Sequence, residues 1–163
     1  MEKRFNEIIR NAPIIDYDAK LELIDMCKVL SIEFERLEGL DNRLIASLLR
    51  TRENDYSTAL SQFVAVPHFR LDGEGKFYMV MLRCKDGIHF SSLYPSIKAV
   101  FAFASSREQR KMHLHALSRI VKITSQSSFQ DRWLQAKGSE TLGKIFIKPH
   151  KTITLKYLMN TMQ

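Results

Sequence analysis

The sequence predicts a single α/β domain, a three-layer sandwich in which one mixed central sheet is flanked by helices on both faces. Three features predict it. The segments run helices, then strands, then helices, an order that suits α/β layering. The stretch IKAVFAFAS at 97–105 is nearly all apolar, so it reads as a central strand that needs cover on both sides. A chain of 163 residues, 45% hydrophobic and 26% charged, is long enough to bury a core of its own.

The elements follow in order. FNEIIR at 5–10 reads as a short helical lead-in, and the stretch after Pro13 as a short strand or turn. Asp16 or Asp18 is expected to cap a helix over 19–37. Its Leu21, Ile24, Val29, Ile32 and Phe34 are only roughly one-faced, so this helix is expected to be well covered. Gly39 stops it in the manner of a C′ glycine, and Asp41 opens the next helix over 42–54, with Leu44, Ile45, Leu48 and Leu49 on one face. Val64, Ala65 and Val66 form a short strand that Pro67, which has no N–H to donate, should end. DGEG at 72–75 is a turn, KFYMVMLRC at 76–84 a strong strand and DGIHF at 86–90 a further short strand. After the strand at 97–105, Met112, Leu114, Leu117, Ile120 and Val121 recur at helical spacing over 106–124. SSFQDRWLQA, capped by Ser127 or Ser128, and GSETLGKIFI complete the helices. The expected core spans about 12–147, with a basic tail over 148–163.

Net charge is +7, part of it in Lys144, Lys148, Lys151 and Lys156. Positive charge alone suits nucleic acid, a phosphorylated partner or an anionic surface equally. Without Arg-rich runs interleaved with aromatics, no nucleic-acid partner is expected. No apolar run reaches membrane-spanning length and the N-terminus lacks a signal-peptide h-region. The expected location is therefore the cytoplasm, including that of a cytosolic domain belonging to a membrane protein. Cys27 and Cys84 lie in no paired motif and are expected to be reduced thiols. Nucleotide-binding loops, a GxSxG elbow and an HExxH motif are all missing from the sequence. No cofactor is expected. His113 and His115, two apart on a helix, cannot form an i, i+4 metal pair, so no metal is expected either.

Of the five histidines, His68 stands out because it falls just past a strand end, at the rim where open α/β sheets hold their ligands. His89 and His150 carry no pattern around them.

The region LLRTRENDYSTALSQFVAVPHFRL resembles the signature of the enzyme IIA domains, fructose–mannitol type (type 2), of the bacterial phosphoenolpyruvate:sugar phosphotransferase system. The matching residues are Leu48, Leu49, Arg52, Glu53, Ser57, Thr58, Ala65, Val66, Pro67 and His68. A helix opening at His113 and the late Phe129, Trp133 and Leu134 match two further blocks, so the resemblance spans about Ala12 to Ile147. It implies a phosphocarrier, in enzyme terms a phosphohistidine phosphotransferase. His68 would accept a phosphoryl group from the carrier HPr or a paralogue and pass it to an enzyme IIB. His113 and Arg52 would hold phosphate oxygens, and Ser57 and Thr58 would line the pocket. The wording is closest to enzyme IIA-like domains attached to transporters and antiporters, which implies the alternative of a regulatory module whose partner is a transporter domain. Many family members carry glycines before the strand and a small residue after the histidine. Here Leu60, Ser61 and Gln62 occupy the loop and Phe69 follows His68. Such residues enter phosphate-close backbone conformations less readily, and Phe69 is expected to crowd the nucleophile.

Overall fold

Apolar residues with strand propensity fill the middle of the chain and become the middle of the sheet. The computed structural model describes residues 1–147. The elements are α1 (Glu2–Asn11), β1 (Ile14–Tyr17), β2 (Leu21–Glu22), α2 (Leu23–Glu38), α3 (Asn42–Asp55), β3 (Val64–Ala65) and β4 (His68–Leu71). They continue with β5 (Phe77–His89), β6 (Ile97–Ser106), α4 (Arg110–Thr124), α5 (Phe129–Gln135) and α6 (Ser139–Ile147). The predicted basic tail and His150 lie outside the described residues.

The long strands β5 and β6 pair antiparallel at the centre. β1 and β2 run parallel to β5 on one side, and β3 and β4 run parallel to β6 on the other. The sheet is mixed and both faces are covered. Phe34, Ile45, Leu49, Phe69, Val80, Leu82 and Val100 pack the side that carries α2 and α3. Phe5, Phe101, Phe103, Met112, Ile120, Trp133 and Phe146 pack the side that carries α1, α4, α5 and α6. Within this second core the Phe101 ring centroid lies 5.4 Å from that of Trp133 and 5.0 Å from that of Phe146. Each such fully buried ring contributes roughly 1.5–3 kcal/mol of transfer free energy. The expected three-layer sandwich is therefore the observed fold.

Several boundaries differ from the sequence reading. The helix predicted from residue 19 starts at Leu23. Leu21 and Glu22 pair with Ile88 and His89 instead, because pairing lets Leu21 join the core. Neither Asp16 nor Asp18 caps α2; the N-cap is Glu22, without a side-chain capping bond. Gly39 does end α2, at φ 78°, with its N–H donating to the Glu35 carbonyl. Ile24 and Ile32 are exposed, so α2 is covered on one face only. On α3, Ile45 and Leu49 are buried while Leu44 and Leu48 face outward. On α4 the buried row is Met112, Ala116, Ile120 and Ile123, with Leu114 and Val121 exposed. The two strands predicted at 76–84 and 86–90 are one, β5, whose register shifts between Arg83 and Ile88. Gly87 sits in that irregularity at φ 94°, against Ser96, where a side chain would collide. For α5, Ser128 is the N-cap but makes no capping bond. Both thiols are free and buried.

A buried charge joins the layers. Arg83 on β5 is only 2% exposed. Its Nε donates to Asp16 Oδ1 at 2.8 Å and its Nη2 to Asp16 Oδ2 at 2.5 Å. Its Nη1 donates to the carbonyls of Trp133 and Ala136 at 2.9 and 2.6 Å. The guanidinium holds the Asp16 carboxyl below the usual carboxylate range, against the opposing effect of burial. Asp16 thus contributes stability that is complete above its ordinary value of 3.8 and is lost as pH falls through its lower folded value. Arg83→Leu leaves the Trp133 and Ala136 carbonyls without a donor and the exposed Asp16 without its partner, and is expected to lower unfolding stability by about 2 kcal/mol, read from the urea midpoint. An unchanged midpoint would refute the clamp.

Candidate functional site

β4 is an edge strand, and that decides what His68 can reach. The predicted strand does end before Pro67, yet extended backbone resumes at His68, the first residue of β4. Pro67 is tolerated because the edge needs only its carbonyl, which accepts from the Phe103 N–H at 2.9 Å. His68 and Arg70 then share one strand face, and Phe69 and Leu71 share the other, where both are buried. At the edge His68 meets two helix ends. The last turn of α3 brings Arg52 from one side of the sheet, and the first turn of α4 brings His113 from the other.

The tautomer of His68 follows from its partners. Nδ1 lies 3.0 Å from the Val66 carbonyl, which can only accept. Nε2 receives the Nε–H of Arg52 at 3.1 Å, and a guanidinium can only donate. The proton is therefore on Nδ1 and the lone pair on Nε2, directed at Arg52. Arg52 Nη1 also donates to the Tyr56 carbonyl at 2.9 Å. The His113 ring lies edge-on to His68 with centroids 5.1 Å apart, and 5.5 Å from Phe103. A cleft of about 410 Å³ opens here, lined by Leu48, Arg52, Asp55, His68, Arg70 and His113 among others.

Both imidazoles are held neutral. Burial is the main cause for His68, and Arg52 and Arg70 add to it; the Val66 carbonyl and Glu53 oppose. Burial again leads for His113, helped by His68, Arg70 and Arg52, and takes it down to about 4.

The structure thus brings His68, His113 and Arg52 together. Ser57 and Thr58 it places elsewhere. Thr58 is buried, with its N–H and Oγ donating to the Glu53 carboxylate at 2.8 and 2.5 Å. The Ser57 hydroxyl accepts from the Ala59 N–H at 3.2 Å, closing a local turn. Phe69 also borders the cleft, but its ring turns to the opposite face and packs on Phe34, centroids 5.1 Å apart. The loop does without glycine, since among the described residues none but glycine has positive φ. Ser61 Oγ accepts from the N–H groups of Phe63 and Val64, and the Gln62 amide donates to the Leu93 carbonyl. Two residues have roles that the sequence reading did not assign. Glu53, tied to Thr58, fastens the end of α3 to the loop. Arg70 lines the cleft, and the alternation His68-Phe69-Arg70-Leu71 would have revealed it had the strand been continued past Pro67. His115, by contrast, faces α1, its Nε2 2.9 Å from Glu2.

Comparison with known proteins fits this arrangement. The family model for the phosphoenolpyruvate-dependent sugar phosphotransferase system, EIIA 2, matches residues 20–148. The chain belongs to this enzyme IIA family. A nitrogen regulatory protein of Klebsiella oxytoca is 27% identical over 109 residues, 66% of this chain and 67% of the relative. The crystal structure of nitrogen regulatory protein IIA-Ntr from Neisseria meningitidis superposes with a TM-score of 0.76 at 21% identity, covering 88% of this chain and 99% of that one. Enzyme IIA mannitol in complex with phosphorylated enzyme IIB mannitol from Escherichia coli has a TM-score of 0.68 at 13% identity, covering 83% and 94%. Among the described residues of this enzyme IIA domain, no helix is long and apolar enough to cross a membrane.

Because the His113 value is depressed in the fold, the sign of its pH dependence is fixed. Its contribution to stability is complete above the ordinary value of 6.5 and is lost as pH falls towards about 4, where the folded ring protonates. Replacing it by Gln is expected to flatten the fall in stability between those two pH values, followed by denaturation at stepped pH, and the wild-type ring should titrate near 4 by NMR. A wild-type titration near 6.5 would contradict this.

Proposed function

We propose that this enzyme IIA domain is a phosphocarrier that accepts a phosphoryl group on His68 Nε2 from a phosphohistidine of an HPr-like carrier and delivers it to an enzyme IIB. The observation that carries the reading is the fixed tautomer of His68: Nδ1–H anchored on the Val66 carbonyl, Nε2 lone pair presented at the sheet edge. A neutral imidazole is a nucleophile at neutral pH, and its depressed protonation keeps it one. Phosphoryl transfer asks mainly for positioning and for donors to the oxygens. Arg52, now on Nε2, needs only to shift its fork outward onto phosphate oxygens as the ring takes the phosphorus. His113 supplies a neutral imidazole N–H from the other side. Two guanidiniums at the cleft, Arg52 and Arg70, against the single carboxylate of Asp55 favour encounter with a phosphorylated protein.

A second reading is supported by the nitrogen regulatory relatives: the phosphorylation state of His68 regulates a partner, including a transporter domain, instead of feeding sugar uptake. The chemistry at His68 is common to both readings, and a cytoplasmic setting follows from either.

Incubation with phosphoenolpyruvate, enzyme I and HPr is expected to add one acid-labile, base-stable phosphoryl group, read by intact mass. His68→Ala should abolish it. His113→Ala should slow it by about 10²-fold, the usual cost of one positioned donor, and Arg52→Lys should also slow it because an ammonium lacks the fork. Labelling of His68→Ala at the wild-type rate would overturn the choice of nucleophile.

A further inference from the structure

Two guanidiniums border the cleft, and their situations differ. Arg52 is engaged, donating to His68 Nε2 and to the Tyr56 carbonyl. Arg70 lines the same cleft from β4 and is exposed. Among the described residues it makes no hydrogen bond and no ion pair. Its backbone is nevertheless fixed. Arg70 pairs with Ser105 in the β4–β6 ladder, and its neighbours Phe69 and Leu71 are buried on the far face. Strand alternation sets it on the same side as His68, two residues along. A free cation held at a fixed register beside a nucleophile has no structural duty to explain it. Its field also reaches both rings, since it helps depress His68 and His113.

We propose that Arg70 is a further catalytic residue of phosphoryl transfer, the guanidinium that receives the incoming phosphoryl oxygens while Arg52 still covers Nε2. The proposal rests on the phosphocarrier reading. The donor is a phosphoimidazole protonated on its distal nitrogen. Arg70 binds the phosphoryl oxygens through its planar fork, and Arg52 then moves off Nε2. The Nε2 lone pair forms the new bond to phosphorus. The donor's nitrogen–phosphorus bond breaks, its electron pair stays on the donor, and the donor leaves as neutral imidazole. The product ring of His68 keeps its Nδ1–H on the Val66 carbonyl, and its positive charge is matched by the phosphoryl group. Both guanidiniums then hold the product, which accounts for two of them around one transferring group.

The test compares wild type, Arg70→Ala and Arg70→Lys with two donors, phospho-HPr and the small molecule phosphoramidate. An exposed cation is partly screened, so its loss should fall short of the ~10²–10³-fold cost of an enclosed donor. Arg70→Ala is expected to slow labelling by on the order of 10-fold with both donors, Arg70→Lys to recover part of it, and the melting temperature to stay unchanged. The ³¹P titration of phospho-His68 should move to higher pH in Arg70→Ala, since a cation beside the phosphoryl group favours its dianion. Arg70→Ala labelling at the wild-type rate with phosphoramidate, whether or not it is slow with phospho-HPr, would overturn the proposal alone. Failure of the wild type to label with either donor would overturn it together with the phosphocarrier reading.

Discussion

Arg83 gives the molecule its frame of reference. A guanidinium in the interior is tolerated only when its N–H groups are met, and four acceptor contacts meet this one. Asp16 stands directly opposite it in the β1–β5 ladder, so the pair fixes that register; a one-residue slip would separate the charges. The carbonyls of Trp133 and Ala136 fix where α5 ends. With α5 in place, Trp133 lies against Phe101 and donates its indole N–H to the Lys98 carbonyl at 3.0 Å, which ties the helical layer to β6. β6 in turn carries β4 on its outer side, with His68 opposite Phe103. A continuous line of polar and aromatic contacts thus runs from the buried charge to the half-buried histidine at the sheet edge.

At the other end of that line the constraint is reversed. The candidate site needs polar groups that are only partly satisfied, and the fold provides them by ending things. The sheet ends at β4, α3 ends just past Arg52 and α4 begins beside His113. Where elements end, side chains from both layers can meet across the sheet edge. Burial there is enough to keep two imidazoles neutral, yet the cleft stays open to a partner. Keeping both rings uncharged removes the repulsion that two imidazolium ions would suffer at a centroid separation of 5.1 Å.

The loop and strand around His68 depart from the wording common in the family without disturbing this geometry, and the reasons are local. Ser61 supplies through its hydroxyl the turn contacts that a glycine would obtain by conformational freedom. Phe69 adds to the core below instead of blocking the cleft above, because successive residues of a strand face opposite ways. At that edge this chain carries the Arg–Glu, Pro–His and second-histidine set, together with the apolar periods that place it.

Much of this was legible in the residues. The apolar run at 97–105, the Gly39 stop and the order of segments are local signals, and they determined the layers and the central strand. The motif from Leu48 to His68 determined which residues to suspect, because its order and spacing survive in one dimension. Contacts between distant segments were not legible. Asp16 read as a helix cap, for a carboxylate near a helix start looks the same whether it caps or pairs with an arginine 67 residues away. Thr58 read as pocket lining, when a glutamate five residues earlier draws its hydroxyl inward. Arg70 escaped because Pro67 reads as a stop, and only pairing with β6 carries extended backbone beyond it. Local propensity can be summed along a chain. Which face a side chain takes, and which donor finds which acceptor, is decided only when non-local strands pair and bring the layers together.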